Sequence, residues 1–148
     1  MSLKPPAPRR YAADTRVPVE RTRSELEKLV TSHGATAFGV YSEGWEKSVV
    51  MYRLSGRYIR HTVKVEPRSR STKQAIEQEQ RRAWRALLLI VKAKLEVIAS
   101  GDSSVEREFL ADTMLANGTT VYEQVGERIT QSYLSGDMPA FGMLGSGD

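Results

Sequence analysis

The apolar residues of the first third of the chain recur as in an amphipathic helix and then give way to short β-prone runs. The spacing of Leu26, Leu29 and Val30 predicts a helix over Val19–His33, and Gly34 is suited to end it. Three strands are predicted to follow, separated by turn-forming residues that include a Ser-Gly pair. They are Ala35–Tyr41, Ser48–Leu54 and Arg57–Val65.

A long helix is predicted next, over Thr72–Ala99, with a capping box formed by Ser71 and Gln74. Its first half is polar, but the run Ala86–Val91 is apolar on every side. Such a run must be enclosed, either by the domain itself or by a partner chain. Two shorter helices complete the pattern: Glu106–Leu115, and one that opens with a second capping box at Thr120 and Glu123 and continues to Leu134.

The predicted order α-β-β-β-α-α-α defines an α+β domain: a helix, a three-stranded antiparallel sheet, a long central helix and two shorter helices. We expect one such domain at residues 19–136. Residues 1–18 contain four of the six prolines together with Arg9, Arg10 and Arg16, which predicts a basic extended arm. Gly- and Ser-rich residues 137–148 predict a flexible tail.

The Ser55-Gly56 turn decides which hairpin side chains share a face. The predicted core face carries Val50, Tyr52, Leu54, Ile59, His61 and Val63. The opposite face carries Met51, Arg53, Tyr58, Arg60, Thr62 and Lys64. Arginine and lysine contact phosphates and tyrosine stacks on bases, so the second face has the composition of a single-stranded nucleic-acid site. A solvated outer face favours the same residue types, and that alternative stays open.

A second basic cluster lies on the long helix, where Arg81, Arg82 and Arg85 surround Trp84. Trp84 is expected in the core, and Glu77, four residues before Arg81, is expected to neutralise one arginine in part. The cluster either reaches phosphates or keeps the helix soluble. The predicted nucleic-acid contacts combine this cluster, the hairpin and the basic connector after it: Arg53, Arg57, Tyr58, Arg60, Lys64, Arg68, Arg70, Arg81, Arg82 and Arg85.

Composition and charge narrow the classes of function. The 148 residues are 40% hydrophobic and 27% charged, which excludes wholesale disorder. No apolar run is long enough to span a membrane, and the lack of cysteine excludes disulfides and cysteine-ligated metals. The net charge of +4 is uneven, with a basic part at residues 1–100 and an acidic part at 101–148. Either one part faces a polyanion, or the opposite charges meet within the chain or between subunits.

Signals for catalysis are weak. The chain has no Gly-rich phosphate loop and no nucleophile elbow. His61 falls on the predicted core face, where a buried, hydrogen-bonded histidine is expected, and Glu77 and Glu79 point apart on a helix. We therefore expect a non-enzymatic protein with no metal and no other cofactor. A nuclease that holds a divalent ion on scattered carboxylates is the remaining enzymatic alternative.

The blocks Tyr-Ala-Ala-Asp-Thr-Arg at residues 11–16 and Arg-Ala-Trp-Arg-Ala-Leu at residues 82–87, with shorter matches up to residue 140, resemble a family of small phage- and prophage-encoded proteins. That family has no settled activity, so the resemblance implies provenance: a mobile-element accessory protein in the cytoplasm of a bacterial host. The order α-β-β-β-α is also that of the double-stranded-RNA-binding domain. That similarity is topological, because the Gly-Pro-x-His turn of that family has no match here.

These patterns predict an accessory protein that binds single-stranded DNA or RNA with little sequence preference and assembles as a homo-oligomer, without a membrane. One alternative is a protein-binding module that inhibits or redirects a host enzyme. Another is a structural virion component, in which the apolar run of the long helix lies between subunits.

Overall fold

The computed structural model of the chain describes residues 9–66 and 72–136. A three-stranded antiparallel sheet with the order β1-β2-β3 and four helices confirm the α+β class. In chain order the elements are α1 (Val19–Ser32), β1 (Thr36–Glu43), β2 (Lys47–Leu54), β3 (Arg57–Lys64), α2 (Lys73–Ala99), α3 (Val105–Glu108) and α4 (Val121–Ser135).

The β2–β3 hairpin turns on Ser55 and Gly56, whose φ angles are 51° and 75°. Two positive φ angles match the twist of the flanking strands. The register begins with Leu54 opposite Arg57 and continues without a shift to the far end of β3. All six side chains predicted for the core face are buried: Val50, Tyr52, Leu54, Ile59, His61 and Val63. The predicted register is therefore confirmed.

The inner face of the sheet is covered by helices. α1 contributes Leu26 and Val30, which are fully buried. Phe109, just after α3, is also fully buried. α2 presents one line of buried side chains to the sheet, and the predicted core position of the tryptophan is confirmed: Trp84, Leu87, Leu88, Val91 and Leu95. Since each such side chain contributes about 1.5–3 kcal/mol on full burial, this layer holds the fold together.

The apolar run at residues 86–91 is enclosed on one side only. Its inward side chains belong to the buried line of α2. Leu89 and Ile90 lie on the other side of the helix, where they are 45% and 49% exposed. Residues 9–66 and 72–136 therefore cover this run on one side only.

The N-terminal boundary of α2 differs from the predicted capping box by one residue. Thr72 is the N-cap, and its hydroxyl oxygen accepts a hydrogen bond from the N–H of Ala75 at 3.1 Å. Serine and threonine cap helices in the same way, so adjacent candidates are not separated by residue type. The second predicted capping box, at Thr120 and Glu123, is confirmed at the start of α4.

The predicted helix over Glu106–Leu115 is wrong beyond its first turn, because α3 ends at Glu108. Residues 112–114 instead run along the edge of β3, and the N–H of Met114 donates to the carbonyl oxygen of Tyr58 at 2.8 Å. A sheet edge leaves backbone groups that need partners. The apolar spacing of this segment is that of a helix, but hydrogen bonding to the edge of β3 stabilises an extended backbone instead.

The described part of the predicted arm lies against α2. The side-chain amide of Gln78 donates to the carbonyl oxygens of Ala13 at 2.9 Å and Thr15 at 2.8 Å. Arg10 forms an ion pair with Glu79 at 2.9 Å. These contacts dock the stretch before α1 on the helix layer.

Replacing Gln78 with alanine should release this docked stretch, because the variant loses both side-chain hydrogen bonds to its backbone. We expect faster tryptic cleavage after Arg10 and Arg16, measured by mass spectrometry under native conditions. Gln131→Ala, on exposed α4, serves as the control. Equal cleavage rates in wild type and Gln78→Ala would contradict the docked arrangement.

Candidate nucleic-acid interface

The outer face of the sheet is exposed opposite the helix layer. The strand registers and the alternation of side chains define its membership. Apart from one acidic residue, Glu43, these side chains are basic, aromatic, apolar or hydroxylic: Tyr41, Lys47, Val49, Met51, Arg53, Tyr58, Arg60, Thr62 and Lys64. The six hairpin residues predicted for this face are all present on it.

Arg53 and Tyr58 form the centre of the candidate site. They are directly opposite each other on β2 and β3, and the guanidinium carbon of Arg53 lies 5.7 Å from the centre of the Tyr58 ring. This is a cation–π distance. Tyr58 is 46% exposed. The pair thus places a planar, positively charged group over an exposed tyrosine ring.

Tyr41 adds a second exposed aromatic to the same face, at 64% exposure. It pairs with Val49 on β2, four residues along the strand from Arg53. From strand spacing and rise, Tyr41 and Tyr58 are about 10 Å apart across the sheet and about 14 Å along it. Sequence reasoning missed Tyr41 because the register of β1 shifts between Thr36 and Gly39.

Two lysines stand opposite each other at the far end of this face, Lys47 on β2 and Lys64 on β3. Like charges at directly opposite positions destabilise a sheet. Neither lysine forms an ion pair within residues 9–66 and 72–136. On its other side Lys47 is opposite Glu43 of β1, which offsets part of this repulsion within the sheet. Lys47 and Lys64 are thus the two cations at this end of the face, and the sequence analysis did not name Lys47.

Arg60 is on this face, but its charge is used within the chain. It forms an ion pair with Glu123 at the start of α4 and donates to the carbonyl oxygen of Gly118 at 3.1 Å. Arg57 shares the inner side of the hairpin with its partner Leu54. Arg60 is thus engaged within the chain and Arg57 lies on the other side of the hairpin, so neither adds to the Arg53–Tyr58 pair.

The arginines of α2 are also engaged in the fold. Arg82 pairs with Glu79 at 2.8 Å, and Arg85 pairs with Glu25 of α1 at 2.8 Å. The hydrogen bond from Arg85 holds the pKa of Glu25 below its usual range. The hydrogen bond from Arg82 does the same for the pKa of Glu79. Arg85 therefore joins α1 to α2, and Arg82 pairs within α2 with the same glutamate that binds Arg10 of the docked N-terminal stretch.

Arg81 donates to the side-chain oxygen of Gln78 at 2.6 Å. The sequence analysis expected Glu77 to neutralise one arginine in part. Glu79 and Glu25 neutralise arginines instead, by pairing with Arg82 and Arg85. All three arginines belong to the helix layer, so the sheet separates them from Arg53 and Tyr58. The remaining predicted contacts, Arg68 and Arg70, lie outside the described residues.

The buried histidine is part of an internal polar chain. The Tyr52 hydroxyl and His61 Nε2 are 2.7 Å apart, and His61 Nδ1 lies 3.4 Å from a carboxylate oxygen of Asp112. Burial raises the pKa of Tyr52, so its hydroxyl donates to Nε2 and leaves the Nδ1 proton facing Asp112. Since His61 is only 4% exposed, this chain holds residues 112–114 to the sheet and offers no access for a substrate.

Asp112 is held in its charged form. Burial alone would raise the pKa of this carboxyl, but the hydrogen bond from His61 and the positive charge of Lys94 outweigh it and lower the pKa. The Lys94 ammonium is 4.0 Å from the carboxylate and 5.3 Å from the centre of the Phe109 ring. The Asp112 carboxylate and the Lys94 ammonium therefore stabilise the packing of the segment after α3.

Other kinds of site receive little support. Among the described residues, no three His, Asp or Glu side chains are grouped so that they could hold a metal ion. A groove of about 370 Å³ lies between the start of α1, the β1–β2 turn and α2, but Glu20, Glu77 and Arg81 line it together, so it has no single charge preference. No helix within the described ranges could cross a membrane.

Comparison with protein-family models, with curated proteins and with solved structures finds no match for this chain. The similarity to phage-encoded proteins therefore stays a prediction.

Arg60→Ala should destabilise the protein, because it breaks the link from the sheet to the start of α4. We expect a loss of about 1 kcal/mol in the free energy of unfolding, measured by urea denaturation. Arg53→Ala is the matched control on the same face and should change this energy by less than about 0.5 kcal/mol. Equal losses in the two variants would contradict the different roles of the two arginines.

Asp112→Asn should reduce the sensitivity of the fold to acid. Because the folded-state pKa of Asp112 is lowered, its stabilising effect is present above the unfolded pKa, about 3.9, and is lost as pH falls through the lower folded value. The variant should show a flatter dependence of unfolding free energy on pH from about pH 5 downwards. Glu25 and Glu79 leave a residual slope, and an unchanged slope would contradict the assignment.

Proposed function

We propose that this protein binds single-stranded nucleic acid on the outer face of its sheet, with little sequence preference. The observation that carries the proposal is the Arg53–Tyr58 pair, exposed at the centre of that face, with a second exposed tyrosine, Tyr41, beyond it. Lys47 and Lys64 add two cations at one end of the same face.

The chemistry of this face suits unpaired bases. An exposed tyrosine ring stacks on any base, with about 1–3 kcal/mol per base, while arginine and lysine contact the phosphates. Met51, between the two tyrosines and 37% exposed, extends the apolar surface on which bases rest. A duplex keeps its bases stacked inside and cannot use such a platform, which favours a single strand.

The setting proposed for this binding is the cytoplasm of a bacterial host, where the chain would act as a phage or prophage accessory protein. The resemblance of residues 11–140 to that family supports this setting. Stacking and charge neutralisation are equilibrium interactions, so the proposed activity needs no metal, cofactor or catalytic residue.

Fluorescence anisotropy with labelled oligothymidylate and oligouridylate tests the proposal. Among residues 9–66 and 72–136, three cations on the face form no ion pair: Arg53, Lys47 and Lys64. Single strands release about 0.7 counterion per neutralised phosphate, so log Kobs against log salt should have a slope of about −2. No binding to either oligonucleotide at low salt would overturn the proposal.

Variants separate stacking from charge in the same assay. Tyr58→Ala should weaken binding by about tenfold, whereas Tyr58→Phe keeps the ring and should bind as the wild type does. The double variant Lys47→Ala/Lys64→Ala should make the salt slope shallower by about 1.4. Lys92→Ala, an exposed lysine on α2, is the control for net charge. An equal loss in the lysine double variant and the control would remove the outer face from the account.

A further inference from the structure

The groove between the start of α1, the β1–β2 turn and α2 has a volume of about 370 Å³. Its floor is one side of α2, because Gln80, Arg81 and Trp84 follow Glu77 at the spacing of a helix face. The side-chain amide of Gln80 donates to the carbonyl oxygen of Trp45 at 3.0 Å, which holds the turn against this floor. Ligand pockets measure about 300–1,000 Å³, so the groove suits a small molecule.

Trp84 provides an unused hydrogen-bond donor at the base of the groove. Trp84 is only 3% exposed, yet its indole N–H has no hydrogen-bond partner within residues 9–66 and 72–136. In the same ranges, Ser103 Oγ is the only unpartnered side-chain nitrogen or oxygen that is sealed from solvent. The Trp84 N–H is therefore accessible, and Trp84 lines the groove. An acceptor bound in the groove would satisfy this donor, which is costly to leave unpaired in a buried side chain.

Arg81 and the start of α1 add further donors. Arg81 Nε and Nη2 donate to the side-chain oxygen of Gln78 at 3.1 and 2.6 Å, which leaves Nη1 without a partner in the part of the chain that the structure describes. Pro18 is the N-cap of α1 and has no side-chain oxygen to cap the helix. The backbone N–H groups of Val19 and Glu20 consequently have no acceptor among the described residues. These donors together favour an acceptor with a negative charge.

Two carboxylates at the rim give the groove its opposite charge. Glu20 and Glu77 are exposed, and neither side chain forms an ion pair or a hydrogen bond with another described residue. Glu77 precedes Arg81 by four residues, a spacing that permits an ion pair on a helix, but Arg81 binds Gln78 instead. Charges of both signs therefore line one groove without neutralising each other.

We propose that this groove binds a small zwitterion: a free α-amino acid or a short peptide. The carboxylate of the ligand accepts hydrogen bonds from the Trp84 N–H and from Arg81, and its ammonium group faces Glu77 and Glu20 at the rim. The mixed lining, which gives the groove no single charge preference, suits a ligand that carries both charges. A phosphate group is disfavoured because the two carboxylates repel it.

The groove is separate from the outer face of the sheet. Ser42 and Ser48, which line it, are opposite each other on β1 and β2. They alternate with Tyr41 and Val49 of the outer face, so they belong to the inner side of the sheet. Zwitterion binding is thus independent of nucleic-acid binding, and either proposal can fail without the other.

NMR of the ¹⁵N-labelled indole groups tests the site directly. The chain has two tryptophans, and Trp45→Phe assigns the signal of Trp84. The probes are L-leucine and glycyl-leucine, with two matched controls: isocaproate, which is leucine without its ammonium group, and isoamylamine, which is leucine without its carboxylate. We expect leucine or glycyl-leucine to shift the Trp84 signal downfield until it saturates. Each control should bind about tenfold more weakly than leucine, because it lacks one charged contact.

The two zwitterionic probes also separate the two sources of the ligand. Tighter binding of glycyl-leucine identifies a short peptide, and tighter binding of leucine identifies a free amino acid. Inorganic phosphate is added as a third control and should leave the Trp84 signal in place.

Variants assign the charges of the groove. Arg81→Gln and Glu77→Gln should each weaken binding of the tighter probe by about tenfold. Arg23→Gln and Glu27→Gln are the matched controls, at exposed residues of α1 outside the groove, and should bind as the wild type does.

Trp84→Phe keeps an aromatic ring in the core and removes the indole N–H. Its binding is followed at the amide of Gly44, which lines the groove, and should also be about tenfold weaker. Three results would each overturn the proposal: a Trp84 signal that no probe shifts, isocaproate or phosphate that binds as tightly as leucine, or equal affinity in the groove variants and the α1 controls. Amide spectra that match the wild type outside the groove ensure that weaker binding is not loss of the fold.

Discussion

The two-residue turn at Ser55 and Gly56 sets the register on which the rest of the molecule depends. A slip of one residue would move every hairpin side chain to the other face of the sheet. Arg53 and Tyr58 would then point into the helix layer, and Tyr52 and Ile59 would point into water. The core and the candidate interface are therefore two consequences of one backbone register, and the positive φ angles at both turn residues hold it in place.

The C-terminal part of the chain depends on the same hairpin. Residues 112–114 cover part of the edge of β3, and Asp112 completes the internal chain that begins at Tyr52 and His61. Arg60 ties the start of α4 to the sheet. Part of the acidic C-terminal region thus meets basic residues within one chain, which was one of the two interpretations of the uneven charge.

Local patterns predict most of the fold. Helical spacing, β-prone runs and turn residues locate α1, the three strands, α2 and α4, since each signal lies within a few residues. Long-range pairing is not visible in such patterns. Arg60 and Glu123 are 63 residues apart, and Arg85 and Glu25 are 60 apart, so the sequence does not show that these arginines are engaged. The irregular register of β1 hides Tyr41 in the same way, because alternation fails across it.

The candidate site is consequently smaller and more clearly bounded than the basic composition predicts. The structure distinguishes the arginines that join elements of the fold from the three cations and two tyrosines that remain on the outer face. Arginine and lysine serve both to hold the chain together and to form a basic surface. Only the partners of each side chain in the structure show which of the two roles it has.

The most direct measurement is a titration of ¹⁵N-labelled protein with a short oligothymidylate, followed by two-dimensional NMR. Chemical-shift changes should concentrate on the amides of β1, β2 and β3 around Tyr41, Arg53 and Tyr58, and the amides of α2 near Arg82 should stay in place. Shifts confined to α2, with the sheet unchanged, would contradict the outer face as the binding surface.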